Sequence, residues 1–221
     1  MDLIKEVENH RQHLKEKRDF EVNPIDLSLP VIPPFRWKKQ IKLILLGQDP
    51  TVKVAASRQK ISCTLNLDKN NSLRKYVDRI CNILGITLEN IYATNLYKYF
   101  YSIPPARTPE VLLNHLPENL DLLKKELLIY GKIPVLTLGE PVLQLLTHPN
   151  NKVKRYWDYD IRKKISNGNF LCLEAKDNLL NLDVFPLPHQ PSLHYNLYNT
   201  NLENYLQIVK KAIKNKDLTA N

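Results

Sequence analysis

Five short runs, KLILLG (42–47), NIYATN (90–95), IPVLTLG (133–139), NFLCLE (169–174) and VFPLPH (184–189), are apolar almost without interruption. A strand with alternating polarity buries one face, whereas a short run without alternation buries both, as in a parallel sheet covered on each side by helices. Between these runs the period becomes helical, over 72–84 (SLRKYVDRICNIL), 110–130, 140–147 and 200–215, and residues 2–18 predict a further amphipathic helix. Strands alternating with helices define the α/β class. Residues 22–39, VNPIDLSLPVIPPFRWKK, hold four prolines that fix backbone angles and remove donors, so an irregular arm is expected there. The 221 residues are accordingly read as a single domain: helix and proline-rich arm over 1–40, core over 41–195, and a C-terminal helix over 196–221.

Open α/β sheets bind ligands beyond the carboxyl ends of their strands. The residues there are Gln48 and Asp49, Asn95, Gly139 and Glu140, and His189. A carboxylate, an amide and an imidazole at three strand ends can converge on one cleft. Each also has a structural reading. Asp before Pro opens turns, Asn stops strands, and Gly139 closes a tight turn before Glu140 and Pro141 start a helix.

The combination is more specific than its parts. LLGQDP (45–50), followed much later by PLPHQPSL (186–193), resembles the two signature motifs of the uracil-DNA glycosylase superfamily. NIYATNLYKYFYSIPPARTP (90–109) and IPVLTLGEPVLQLL (133–146) resemble its intervening strand-end segments in order and spacing. The resemblance covers residues 40–195 and leaves the N-terminal 40 residues and NNKVKRYWDYDIRKK (150–164) outside. It implies a three-layer α/β sandwich with a short, mainly parallel central sheet flanked by helices. It also implies a DNA glycosylase that flips uracil or a related deaminated base out of DNA and hydrolyses its N-glycosidic bond during base excision repair.

In that chemistry the base leaves as an anion and the sugar becomes cationic, so both charges must be met. The resemblance gives Asp49 the sugar cation and the attacking water, and gives His189 the uracil carbonyl that gains charge. Asn95 would read O4 and N3–H, Gln48 would add a main-chain contact, Leu193 would fill the gap left by the flipped base, and Ser192 would hold a flanking phosphate. The chain departs from the family at Thr51, where the best-known branch has a methyl-excluding tyrosine. It departs again at 60–67 (KISCTLNL), which lacks the stacking phenylalanine; Cys63 is expected to line that wall, with Tyr97 or Phe100 as aromatic substitutes.

The charge balance, 32 Lys and Arg against 23 Asp and Glu, favours an anionic partner. Residues 37–60 and 150–164 concentrate positive charge among the aromatics Trp37, Tyr156, Trp157 and Tyr159. Lys53, Arg58 and Arg107 are the cations expected on DNA. Three scattered cysteines argue against a metal cluster, and the absence of a long apolar run argues against a membrane span. A cytoplasmic monomer working on DNA without cofactor or metal is the expectation. The alternative is a nucleic-acid-binding protein that keeps the fold with altered chemistry. A different hydrolase or nucleotide enzyme loses support, because no G-x-x-x-x-G-K-[ST], G-x-G-x-x-G or G-x-S-x-G motif occurs.

Overall fold

The computed structural model describes residues 2–17, 19–160, 162–163, 165–189 and 196–219. Its strands are β1 (Leu43–Gly47), β2 (Ile91–Asn95), β3 (Val135–Leu138), β4 (Tyr159–Asp160), β5 (Ile165–Ser166) and β6 (Val184–Leu187). Its α-helices are α1 (Leu3–Leu14), α2 (Asp19–Val22), α3 (Ala55–Arg58), α4 (Ser72–Leu84), α5 (Pro109–Leu128), α6 (Glu140–Leu146), α7 (Val153–Tyr156) and α8 (Asn196–Thr219). β2, β1, β3 and β6 form, in that order, one all-parallel sheet, while β4 and β5 make a small antiparallel hairpin.

Every residue of the four parallel strands is buried, the outcome expected of runs without polar alternation. Helices flank the sheet, α1 and α2 packing with α5, and α4 with α8. In α4 the buried residues Tyr76, Val77, Ile80, Cys81 and Leu84 recur at helical spacing, and the Asn71 side chain caps the first turn by accepting the Arg74 N–H at 2.8 Å. α5 offers Glu126 to alternate residues of β2: the Tyr92 and Thr94 hydroxyls donate to its Oε1 at 2.6 and 2.8 Å. Lys98 joins this buried cluster, its Nζ lying 2.6 Å from Glu126 Oε2 and donating to the Asn95 carbonyl at 2.7 Å.

The chain leaves β1 towards β2 and then crosses to β3 on the other side, so the topological switch point lies at the carboxyl end of β1. The proline-rich arm is irregular, as expected, yet it has a defined course. Phe35 exchanges two backbone hydrogen bonds with Ala93 on the outer edge of β2, and the Ile32 and Asp26 N–H groups donate to Lys98 and Phe100. The arm therefore covers an edge that would otherwise be open to strand addition.

Two expectations change. Residues 169–174 are not a strand: Leu173 forms an isolated bridge to Val184, while the Leu171 N–H bonds the Tyr156 carbonyl and the Asn169 N–H bonds Asp158. The Asn169 and Leu171 donors serve the neighbouring turn, and only Leu173 exchanges backbone bonds with β6. The basic stretch 37–60 is also divided by β1. Arg36 to Ile41 share a cleft with Glu89, Ile129 and Tyr130 at the amino ends of the strands, and Lys39 pairs with Glu89. Trp37 thus stands at the opposite end of the sheet from Asp49 and has no place beside it.

Candidate active site

The strand ends supply the site. β1 and β2 pair in register down to Gly47 opposite Asn95, and the Leu96 and Tyr97 N–H groups donate to the Gly47 and Gln48 carbonyls at 2.9 Å. Leu138 of β3 pairs with Leu187 of β6, and the next residue, Gly139, donates its N–H to the Leu187 carbonyl at 2.8 Å. β2, which ends at Asn95, and β6, which ends two residues before His189, therefore lie one and two strand spacings from β1, about 5 Å and about 10 Å.

Gly47 is required here by space. A Cβ on it would lie 2.3 Å from Asn95 Oδ1, so the amide rests directly over the glycine. Gly139 combines a φ of 93° with close passage of His189, whose Cβ would be 3.4 Å from an added Cβ. The structural reading of Gly139 holds, and the same turn seats the histidine.

Asp49 is held by its own turn. The Thr51 N–H donates to Asp49 Oδ1 at 2.7 Å, and Thr51 Oγ1 in turn accepts the Tyr101 N–H at 2.9 Å. Burial nevertheless raises the carboxyl from 3.8 to about 6, against hydrogen bonds from the Thr51 side chain and backbone and the Arg58 charge, which lower it. Tyr97, Tyr99 and Tyr101, packed edge to face with centroids 5.5–6.4 Å apart, form an apolar wall near enough for the Asp49 charge to raise their own pKa further. Burial lowers the His189 imidazole from 6.5 although the residue keeps an exposed surface, so it is neutral at neutral pH and can donate one N–H.

Asn95 is 2% exposed, and its Oδ1 has no hydrogen-bond partner among the described residues. A buried acceptor left unmatched costs about 1–3 kcal/mol, which a ligand N–H would recover.

Not every expected site residue arrives. Cys63 turns its thiol to Asp68 at 3.2 Å, and burial pushes the thiol up to about 11. Leu65, two residues on, is the side chain against the β1–β2 end, its Cδ2 3.1 Å from a Cβ built on Gly47. Leu65 and Asn66 have φ of 62° and 50°, and this left-handed pair redirects the chain, a conformation that sequence periodicity does not encode. Tyr97 and Phe100 are fully buried; the Tyr97 hydroxyl donates to the Leu112 carbonyl, and Phe100 packs with Leu29, Ile32 and Ile61.

Arg58 is not a DNA contact. It is 5% exposed and donates to the carbonyls of Val52, Tyr101 and Ser102. Its role is to close the loop after Asp49. Tyr156 and Trp157 are core residues rather than stacking platforms. Lys53 and Arg107 are exposed, and the Gln48 side chain lines a small apolar cleft of about 210 Å³ with Leu112, Pro141 and Leu145. Ser192 and Leu193 lie outside the described residues.

Among the described residues no helix is long and apolar enough to cross a membrane. No curated protein sequence matches the chain. The profile of the uracil DNA glycosylase superfamily does match, over residues 34–212, further in both directions than the motifs alone and spanning positions 150–164. With four parallel strands, the Gly-Gln-Asp-Pro turn at the switch point and the strand-end Asn95 and His189 all within that match, the chain belongs to the uracil DNA glycosylase superfamily.

Proposed function

We propose that the protein is a DNA glycosylase that releases a deaminated base carrying a lactam edge, uracil first, from a flipped nucleotide in base excision repair. The observation that carries this reading is the buried, unpartnered Oδ1 of Asn95. Uracil presents N3–H beside O4, so Oδ1 accepts the N–H while the amide NH2 donates to O4. Hypoxanthine and xanthine offer the same pair of groups. Cytosine places an acceptor where the N–H should be and would leave Oδ1 buried and opposed by a lone pair.

The mechanism follows from the electrostatics. Ionised Asp49, in a site of low polarity, stabilises positive charge at the sugar and orients water. Neutral His189 donates to the carbonyl that becomes negative as the base departs. Leu65 supplies an apolar wall in place of an aromatic ring. Thr51 braces Asp49, and this role supports the wider base range that the missing tyrosine suggests. Lys53 and Arg107, with Ser192 and Leu193, remain the proposed DNA contacts, and Gln48 a pocket-wall residue.

The test uses single- and double-stranded oligonucleotides with one uracil, hypoxanthine, xanthine or mismatched thymine, scored for alkali-labile abasic sites. Cleavage of uracil is expected, and kcat/KM should rise with pH through about 6 as the raised Asp49 carboxyl ionises. DNA binding without cleavage of any substrate would favour the altered-chemistry reading, which the replaced aromatic wall motivates.

Gly47→Ala tests the base reader without touching a reacting group. The new Cβ must displace Asn95. A loss of about 10²-fold in kcat/KM is expected from an amide moved by roughly 1 Å, with the protein still folded by circular dichroism. An unchanged rate would show that Asn95 does not read the base.

A further inference from the structure

We infer that the segment from His148 to Tyr159 is a second DNA-contacting site, a rigid cationic cleft that takes backbone phosphates of the strand flanking the flipped nucleotide. This rests on the glycosylase reading only for the identity of the polyanion. The cleft, about 580 Å³, is lined by Lys152, Lys154, Arg155, His148 and Tyr159, with Asp158 as its acidic member. Asp158 is already engaged, its Oδ2 accepting from the Asn169 N–H and side chain at 3.1 and 2.9 Å. Lys154 and Arg155 have no ion-pair partner among the described residues, so their charge is available to a ligand. His148 Nδ1 accepts the Asn150 N–H at 3.2 Å, which leaves Nε2 as the ring nitrogen that donates.

Position favours DNA over an unrelated anion. Lys152 Nζ reaches Glu140 Oε2 at 3.3 Å, and Glu140 follows Gly139, the glycine against which His189 sits. The cleft therefore opens beside the rim of the candidate active site. It is also pinned to the strand that delivers His189: Trp157 Nε1–H donates to the Pro186 carbonyl at 2.9 Å, and the indole stacks on Tyr205 with centroids 4.2 Å apart. Cations on so fixed a mount meet phosphates with little ordering cost, and they set where the flanking backbone lies relative to the flipped base.

The test is equilibrium binding of the full chain to a fluorescent 25-base-pair duplex without any damaged base, read by anisotropy from 50 to 300 mM salt. Lys154→Gln/Arg155→Gln should weaken binding about tenfold at 100 mM salt and flatten the slope of log K against log salt by about 2, one condensed counterion per lost contact. Lys154→Arg/Arg155→Lys should restore both, which separates charge from misfolding. Unchanged affinity and slope in the glutamine variant, or no DNA binding by the wild type, would overturn the inference. Base release by the wild type is scored in parallel. If no base is released but the slope still falls, the glycosylase reading fails and the phosphate site stands.

Discussion

Asp49→Asn is expected to lower base release on the order of 10³-fold while making the protein more stable at pH 8. The first effect follows from the role proposed for Asp49, whose charge would face the developing sugar cation. The second follows from linkage. The folded carboxyl titrates at about 6 rather than 3.8, so folding favours its protonated form. As pH rises from about 4 to above 6, the folded state must carry a partly buried carboxylate, a destabilisation of at most about 3 kcal/mol at full ionisation. Asparagine keeps an oxygen for the Thr51 N–H and carries no charge. Denaturant melts of both proteins should therefore differ by about 1–3 kcal/mol at pH 8 and converge near pH 4. An equal gain at both values would place its origin outside ionisation, and an undiminished rate would remove Asp49 from the chemistry.

Lys98→Met should be the most destabilising of the single changes considered, by about 3–5 kcal/mol, lowering the melting temperature by roughly 10 °C. Lys98 and Glu126 are each 3% exposed in their side chains, with Nζ and Oε2 2.6 Å apart, and Glu126 Oε2 has no other partner among the described residues. Removing the ammonium leaves a carboxylate in the core with only the Tyr92 and Thr94 hydroxyls on its other oxygen. The double variant Lys98→Met/Glu126→Gln should recover more than half of the loss, because a neutral amide oxygen still accepts both hydroxyls. Simple additivity of the two single effects in a double-mutant cycle would mean the charges do not sense each other. Base release should also fall in Lys98→Met, since the ammonium holds the carbonyl of Asn95.

The class of fold and the positions of the strand ends were legible for a physical reason. Buried parallel strands must be apolar throughout, and Gly47, Asp49, Asn95 and His189 sit where the pattern breaks, so β1, β2, β3 and β6 and the residues at their ends follow from one-dimensional information. The misplacements share a different cause. Whether Cys63 or Leu65 faces the pocket depends on two left-handed residues whose need arises only in three dimensions. Arg58 has the composition of a surface cation, and only the folded chain reveals three carbonyls converging on its guanidinium. Trp157 sits among lysines and arginines, yet its ring is buried in the core, where it stacks on Tyr205 and donates to a backbone acceptor on β6. Local charge density described the neighbourhood of these side chains and said nothing of the direction in which they point.

The course of the proline-rich arm bears on where this molecule can be cut. The superfamily match starts at residue 34, yet the backbone that follows Asn95 is tied to residues upstream of that point, through Ile25 and Tyr101, Asp26 and Phe100, and Ile32 and Lys98. The shared ancestry of the domain and its cooperative unit therefore begin at different residues. Shortening the gene to the matched region would keep every motif and release the clamp on the backbone that follows Asn95.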